Sequence, residues 1–95
     1  MIDRVKKEAD MMHRHMKVLN IVDKNGPVGI VKLSDETGYP RHKIRYSLRV
    51  LEEEELIEPT NKGARVTDEA KNFKKEVNEE VDDLIGTLEE FKFDE

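Results

Sequence analysis

The chain of 95 residues contains no cysteine and no tryptophan. Without cysteine there is no disulfide, no thiol nucleophile and no cysteine-ligated zinc site. Long apolar runs are also absent. Nothing approaches the roughly 18–20 residues that cross a bilayer. The opening stretch, MIDRVKKEADMM, is charged throughout and lacks the apolar centre of a signal peptide. These absences lead to the expectation of a soluble, cytoplasmic protein with no membrane partner. There is no glycine-rich phosphate loop. The many Asp, Glu and His residues show no spacing that assembles a catalytic pair, so no enzyme, cofactor or metal is expected. Hydrophobic residues make up 36% of the chain, which suits one modest core. A domain this small buries a lower share of its surface than a large one, so extra burial through a partner or a second copy would help.

What is abundant is charge, at 41% of residues, with a formal net charge of −5. Its distribution is uneven. Residues 1–23 carry five Lys/Arg and four Asp/Glu, and residues 24–65 carry eight and seven. Residues 66–95 carry four and eleven, so the acidity resides in the C-terminal segment. Salt screens charges beyond about 8 Å at physiological ionic strength, so a positive surface elsewhere can still attract an anion. One segment concentrates that positive charge. Arg41, Lys43, Arg45 and Arg49 lie within nine residues free of acid, and Glu52, Glu53, Glu54 and Glu55 follow directly.

Apolar residues Ile2, Val5, Ala9, Met12, Met16 and Leu19 recur at steps of three and four, which predicts a helix over 2–23. Asn25-Gly26-Pro27 stops it, in the manner of a left-handed cap followed by proline. PVGIV is a short strand or an extended lead-in. VKLSDETG, residues 31–38, reads as a short helix closed by Gly38. Tyr39 precedes a proline and is pushed towards extended backbone. Pro40 suits the first turn of the helix over 40–55. On that helix Ile44, Leu48 and Leu51 share a core face with Ser47 beside them. His42, Tyr46 and Arg49 share the opposite face, flanked by Lys43 and Arg45. LIEP and ARVT read as two short strands joined by TNKG, with Pro59 on an edge. Thr67 is the expected N-cap of a last helix reaching about Phe91, with apolar positions Ala70, Phe73, Val77, Val81, Leu84, Leu88 and Phe91.

The stretch LSDETGYPRHKIRYSLRVLEEEELIEP, followed by KGARVTDEA, resembles the small winged helix-turn-helix transcription regulators of archaea and bacteria. The likeness covers about residues 16–70. It implies a mainly α fold with a small β-hairpin wing and long N- and C-terminal outer helices. One domain would comprise an outer helix over 1–24, the helix-turn-helix and wing over 27–67, and an acidic C-terminal helix over 68–95. It further implies sequence-specific binding of double-stranded DNA by a transcription regulator. A helix with an apolar inner face and a basic outer face can sit on its own core and enter the major groove. Carried onto this chain, Arg41, His42, Lys43, Arg45, Tyr46 and Arg49 form the reading face. Arg41 and Arg45 are expected on base edges, where the guanidinium fork matches guanine O6 and N7. Lys43 and Arg49 are expected on phosphates. Asn61, Lys62 and Arg65 form a wing contact, and Lys32 or Ser34 adds a phosphate contact near a helix start.

The plain alternatives are a solvated basic face paired with the domain's own acids, and a polar hairpin tip. MMHRHM at residues 11–16 invites a metal reading. His13 and His15 lie two apart, however, so a helix turns them about 200° from each other. Met12 and Met16 belong to the apolar stripe and are better explained as core than as ligands. Two long striped helices exceed what a three-helix core covers. Either one stripe covers the other within a chain, or they form a homodimer interface through Ile2, Val5, Met12, Val77, Val81, Leu84, Leu88 and Phe91. The dimer is the preferred expectation, with half-sites roughly 34 Å apart or a multiple of that. The competing function is a winged helix that serves as a protein–protein interaction module in a larger assembly. A third class, a metal or small-molecule sensor, has little support, since 95 residues leave no separate effector domain, although a dimer cleft could hold a ligand; the effector is unknown.

Overall fold

The computed structural model describes all 95 residues. Four helices and one hairpin follow in the order α1 (Ile2–Asn25), α2 (Ile30–Thr37), α3 (Arg41–Glu53), β1 (Ile57–Thr60), β2 (Gly63–Val66) and α4 (Glu69–Glu89). This is a winged helix-turn-helix arrangement, mainly helical with a two-stranded antiparallel wing. No helix is long and apolar enough to cross a membrane. The expected lead-in strand shrinks to Val28, which forms a single antiparallel bridge with Ala64. β2 therefore lies between Val28 and β1. Pro59 sits on the outer strand, where its missing N–H breaks no ladder.

Nine buried residues form one core: Val18, Leu19 and Val22 of α1, Val28, Leu33 of α2, Ile44 and Leu51 of α3, and Leu56 and Ile57 at the start of the hairpin. Ser47 is buried beside Ile44 and Leu51, and Leu48 is half-buried, so the inner face of α3 is the one its periodicity predicts. The turn between α2 and α3 is set by local polar groups. Gly38 adopts φ 80° at the end of α2. The Thr37 hydroxyl donates to the Leu33 carbonyl and accepts from the Tyr39 N–H. Ser34 donates to the Tyr39 carbonyl at 2.7 Å, so its hydroxyl is used inside the turn.

Three local expectations are corrected. Helix α1 does end at Asn25, but Gly26 is extended (φ −64°, ψ 155°), not left-handed. Glycine is needed there for closeness, since a Cβ would lie 2.4 Å from the Val22 carbonyl oxygen. Thr67 does not cap α4. Its hydroxyl donates to the Glu55 carbonyl at 2.6 Å, and Asp68 takes the cap position without a side-chain bond. Met12 is not part of the core; it is 48% exposed.

The glutamate run acquires a backbone role at its end. Glu55 has φ 61°, the left-handed position that usually takes glycine after a helix. The Leu56 N–H reaches the Leu51 carbonyl and the Glu55 N–H reaches the Glu52 carbonyl, both at 2.9 Å. These are the two bonds of a Schellman motif. Leu56 and Leu51, the apolar pair that accompanies such a motif, are both buried in the core. The run thus closes α3 and turns the chain into the wing.

The outer helices differ from the rest. Only Ala70 of α4 is buried. Phe73 leans on the core, and Lys74 pairs with Asp23 of α1. Beyond Val77 every residue of α4 is exposed, as is every residue of α1 before Met11. The molecule measures 55 × 28 × 20 Å, and neither outer helix covers the other along its full length.

Candidate nucleic-acid interface

Helix α3 presents its basic side to solvent because its apolar residues hold the other side in the core. Arg41, His42, Lys43, Arg45, Tyr46 and Arg49 are all exposed. The ion pairs of the chain are Lys32–Glu36, Arg65–Glu58 and Lys74–Asp23. None involves an α3 cation, so Arg41, Lys43, Arg45 and Arg49 keep their charge unpaired. The start of α3 is also free of any side-chain cap, leaving its first N–H groups and the positive end of its dipole available to an anion.

The face has two flanks. On one, Arg45 and Arg49 border a shallow cleft of about 450 Å³ that also includes Glu52 and Glu53. The acids of the run therefore bound the cationic face at its C-terminal end. On the other flank lies α1. The ring of Tyr46 is 5.8 Å from the ring of His15, and the Arg14 guanidinium lies 6.0 Å from the Tyr46 and Tyr39 ring centroids alike. Tyr46 is thus braced against α1 while remaining 44% exposed.

The wing divides differently from its expected role. Asn61 and Lys62 are exposed in the two-residue loop between Thr60 and Gly63. The Thr60 hydroxyl closes that loop by donating to the Gly63 carbonyl and accepting from the Lys62 N–H. Arg65 is held across the hairpin, its Nε and Nη2 each 2.6 Å from one Glu58 oxygen. Its charge is matched at home, so Lys62 is the unpaired cation of the wing. Lys32 lies 3.9 Å from Glu36, one turn along α2.

No protein-family model matches the chain, and no curated protein matches it. The physical arrangement of the site therefore carries the functional argument.

Sequence reading missed the junction that holds α3 in place. His15 is 2% exposed and its Nδ1 lies 2.7 Å from the Ser47 Oγ. The Arg14 Nε donates to the same oxygen at 2.9 Å. With that oxygen already accepting from Arg14, its own proton is free to donate to a neutral His15 ring. Burial lowers the pKa of His15 below 6.5, and the neighbouring Arg14 charge lowers it further. The pairing crosses 32 residues of sequence, and no periodicity marks it.

A pH dependence follows. The unfolded chain takes up a proton at His15 near pH 6.5, while the folded chain resists it until lower pH. The stability this gives is fully present above about pH 6.5 and is lost as pH falls through the folded value. Urea denaturation at pH 7.5 and pH 5.0 is expected to show the drop, and His15→Gln is expected to shrink it. An undiminished drop in that variant would place the titration elsewhere.

Proposed function

We propose that the protein binds double-stranded DNA sequence-selectively, as a homodimer, and regulates transcription. The observation that supports this most is the unpaired cationic face of α3, presented on the second helix of a helix-turn-helix. A major groove about 12 Å wide admits such a helix, with phosphates on both sides. Arg41 and Arg45 act on base edges. Lys43, Arg49 and Lys62 act on phosphates, and the exposed Tyr46 ring meets a thymine methyl or the backbone.

The deciding experiment is selection from randomised duplex DNA at about 100 mM salt, where phosphate contacts are partly screened but still contribute. Enrichment of a palindrome is the expected result. Absence of any enriched sequence would shift the weight to the second reading, docking on an acidic protein partner. The overall charge of −5 and the glutamates beside Arg45 and Arg49 favour that reading modestly.

On the selected site, Arg45→Ala is expected to cost about 1–3 kcal/mol and to change little on other sequences. Lys43→Ala should weaken all sequences alike and flatten the salt dependence by about one unit of slope. If Arg45→Ala weakened every duplex equally, Arg45 would be a phosphate contact and not a reader.

A further inference from the structure

Beside the groove-facing helix lies a second concentration of positive charge, on α1. A cleft of about 450 Å³ opens between α1 and the N-terminal end of α3. Lys7, His13 and Arg14 line it from α1, and Tyr39 and Lys43 line it from the other side. Asp10 is its one acid. None of these cations forms an ion pair. Arg14 spends its Nε on Ser47, which fixes the guanidinium, and its remaining N–H donors are unassigned within the chain. Lys17 continues the row, with its Nζ 5.9 Å from the Tyr39 ring centroid.

Lys7, Arg14 and Lys17 fall on one side of α1, because seven residues make nearly two full turns and three more stay within the same quadrant. From Lys7 to Lys17 the helix rises about 15 Å at about 1.5 Å per residue. That length matches about four base-pair steps of duplex at about 3.4 Å each. The row adjoins Lys43, which the DNA reading places on a phosphate, and the uncapped start of α3 lies at the same end of the helix.

We propose that this cleft binds a backbone phosphate of the duplex, and that Lys7, Arg14 and Lys17 form a phosphate track flanking the groove contact. The proposal rests on the DNA reading above and extends it to a second element. The ligand chemistry is a phosphodiester oxygen. Arg14 meets it through planar donors held rigid by Ser47, and Lys7 and Lys17 meet it as point charges. The track makes α1 a clamp on the flank of the site, and the Arg14–Ser47 bond couples that clamp to the pose of α3.

The test uses the full chain with Lys7→Gln and Lys17→Gln combined. Both side chains are exposed, so the fold is retained, and thermal melting checks this. Binding to a selected duplex and to an unrelated duplex is measured over a range of salt. The expected result is a log–log salt slope shallower by about 1.8, or about 0.9 per lost contact, with the same proportional loss on both duplexes. An unchanged slope in the variant, while the wild type binds duplex, would overturn the track and leave the DNA reading intact. Failure of the wild type to bind any duplex at low salt would overturn both. Inorganic phosphate is the control for a free anion. Saturable shifts of the His13 ring signals at or below millimolar phosphate, together with an unchanged DNA slope, would reassign the cleft and overturn the track.

Discussion

Replacing Leu84 and Leu88 together by glutamate is expected to convert the protein to a monomer and to weaken binding of a palindromic duplex by about 10²–10⁴-fold, the gain that linking two sites confers. The reason lies in what the chain leaves uncovered. Val81, Leu84, Ile85, Leu88 and Phe91 of α4 and the residues after it are 37–54% exposed, and Ile2, Val5 and Met12 of α1 are 40–59% exposed. Scattered apolar residues on a surface need no explanation, but two continuous stripes on neighbouring helices do. The occupant argued for is a second copy of this chain. At 100° per residue the stripe on α1 is bordered by Arg4 and Lys6, and the stripe on α4 by Glu80, Asp82 and Glu89. Within one chain no ion pair joins these charges, and the pair that links the two helices is Lys74–Asp23. In the proposed dimer, the basic-edged stripe of one copy would meet the acid-edged stripe of the other. Neither Leu84 nor Leu88 touches the core, so the circular-dichroism spectrum of the variant should keep its helical content. Sedimentation of wild type and variant as the same species at micromolar concentration would refute the interface.

That expectation also shows where sequence patterning is strong and where it fails. The apolar steps of three and four predict the two outer helices, and Gly38 and Pro40 mark the two short ones between them. The basic and apolar faces of α3 also follow from its periodicity, because burial of Ile44, Ser47 and Leu51 is a repeating property of one element. Side-chain bonds between elements leave no such trace. The His15–Ser47–Arg14 junction could not be read from either helix alone, and with it the cations of α1 were passed over. A signal was present in their spacing. Lys7, Arg14 and Lys17 recur on a side of α1 offset from its apolar stripe, yet only the placement of α3 against that side gives them a shared purpose. The corrections at Gly26 and Thr67 have the same origin. Residue type indicated a cap, while the neighbouring strand and turn decided what the backbone and hydroxyl would meet. Arg65 shows the same limit: its residue type does not reveal that its cross-strand register opposite Glu58 gives it a partner within the chain.

Gly63 carries the other large effect. The sequence assigns it to turn chemistry, and its φ of 120° is indeed a conformation that side chains with a Cβ rarely adopt. The structure adds a second demand. A Cβ at this position would lie 2.4 Å from the Val28 carbonyl carbon, 2.5 Å from its oxygen and 2.7 Å from the Gly29 nitrogen. All three are backbone atoms, held by the paired bonds between Val28 and Ala64 at 3.0 and 2.9 Å. Gly63→Ala must therefore both strain its own backbone and push the lead-in of α2 away from the wing. The expected destabilisation is about 3 kcal/mol, combining left-handed strain with overpacking. For a domain of this size that lowers the melting temperature by about 10–20 °C. Gly86→Ala is the matched control. It has nothing within 4 Å of the added Cβ and sits inside α4, so it should raise stability by up to about 1 kcal/mol. If Gly63→Ala melted within two or three degrees of wild type, the wing would not be fastened through Val28. The consequence for function is direct. The bridge at Val28 sets where the wing stands relative to α2 and α3, so its loss displaces Lys62 from the surface on which Arg41, Lys43, Arg45 and Arg49 are gathered.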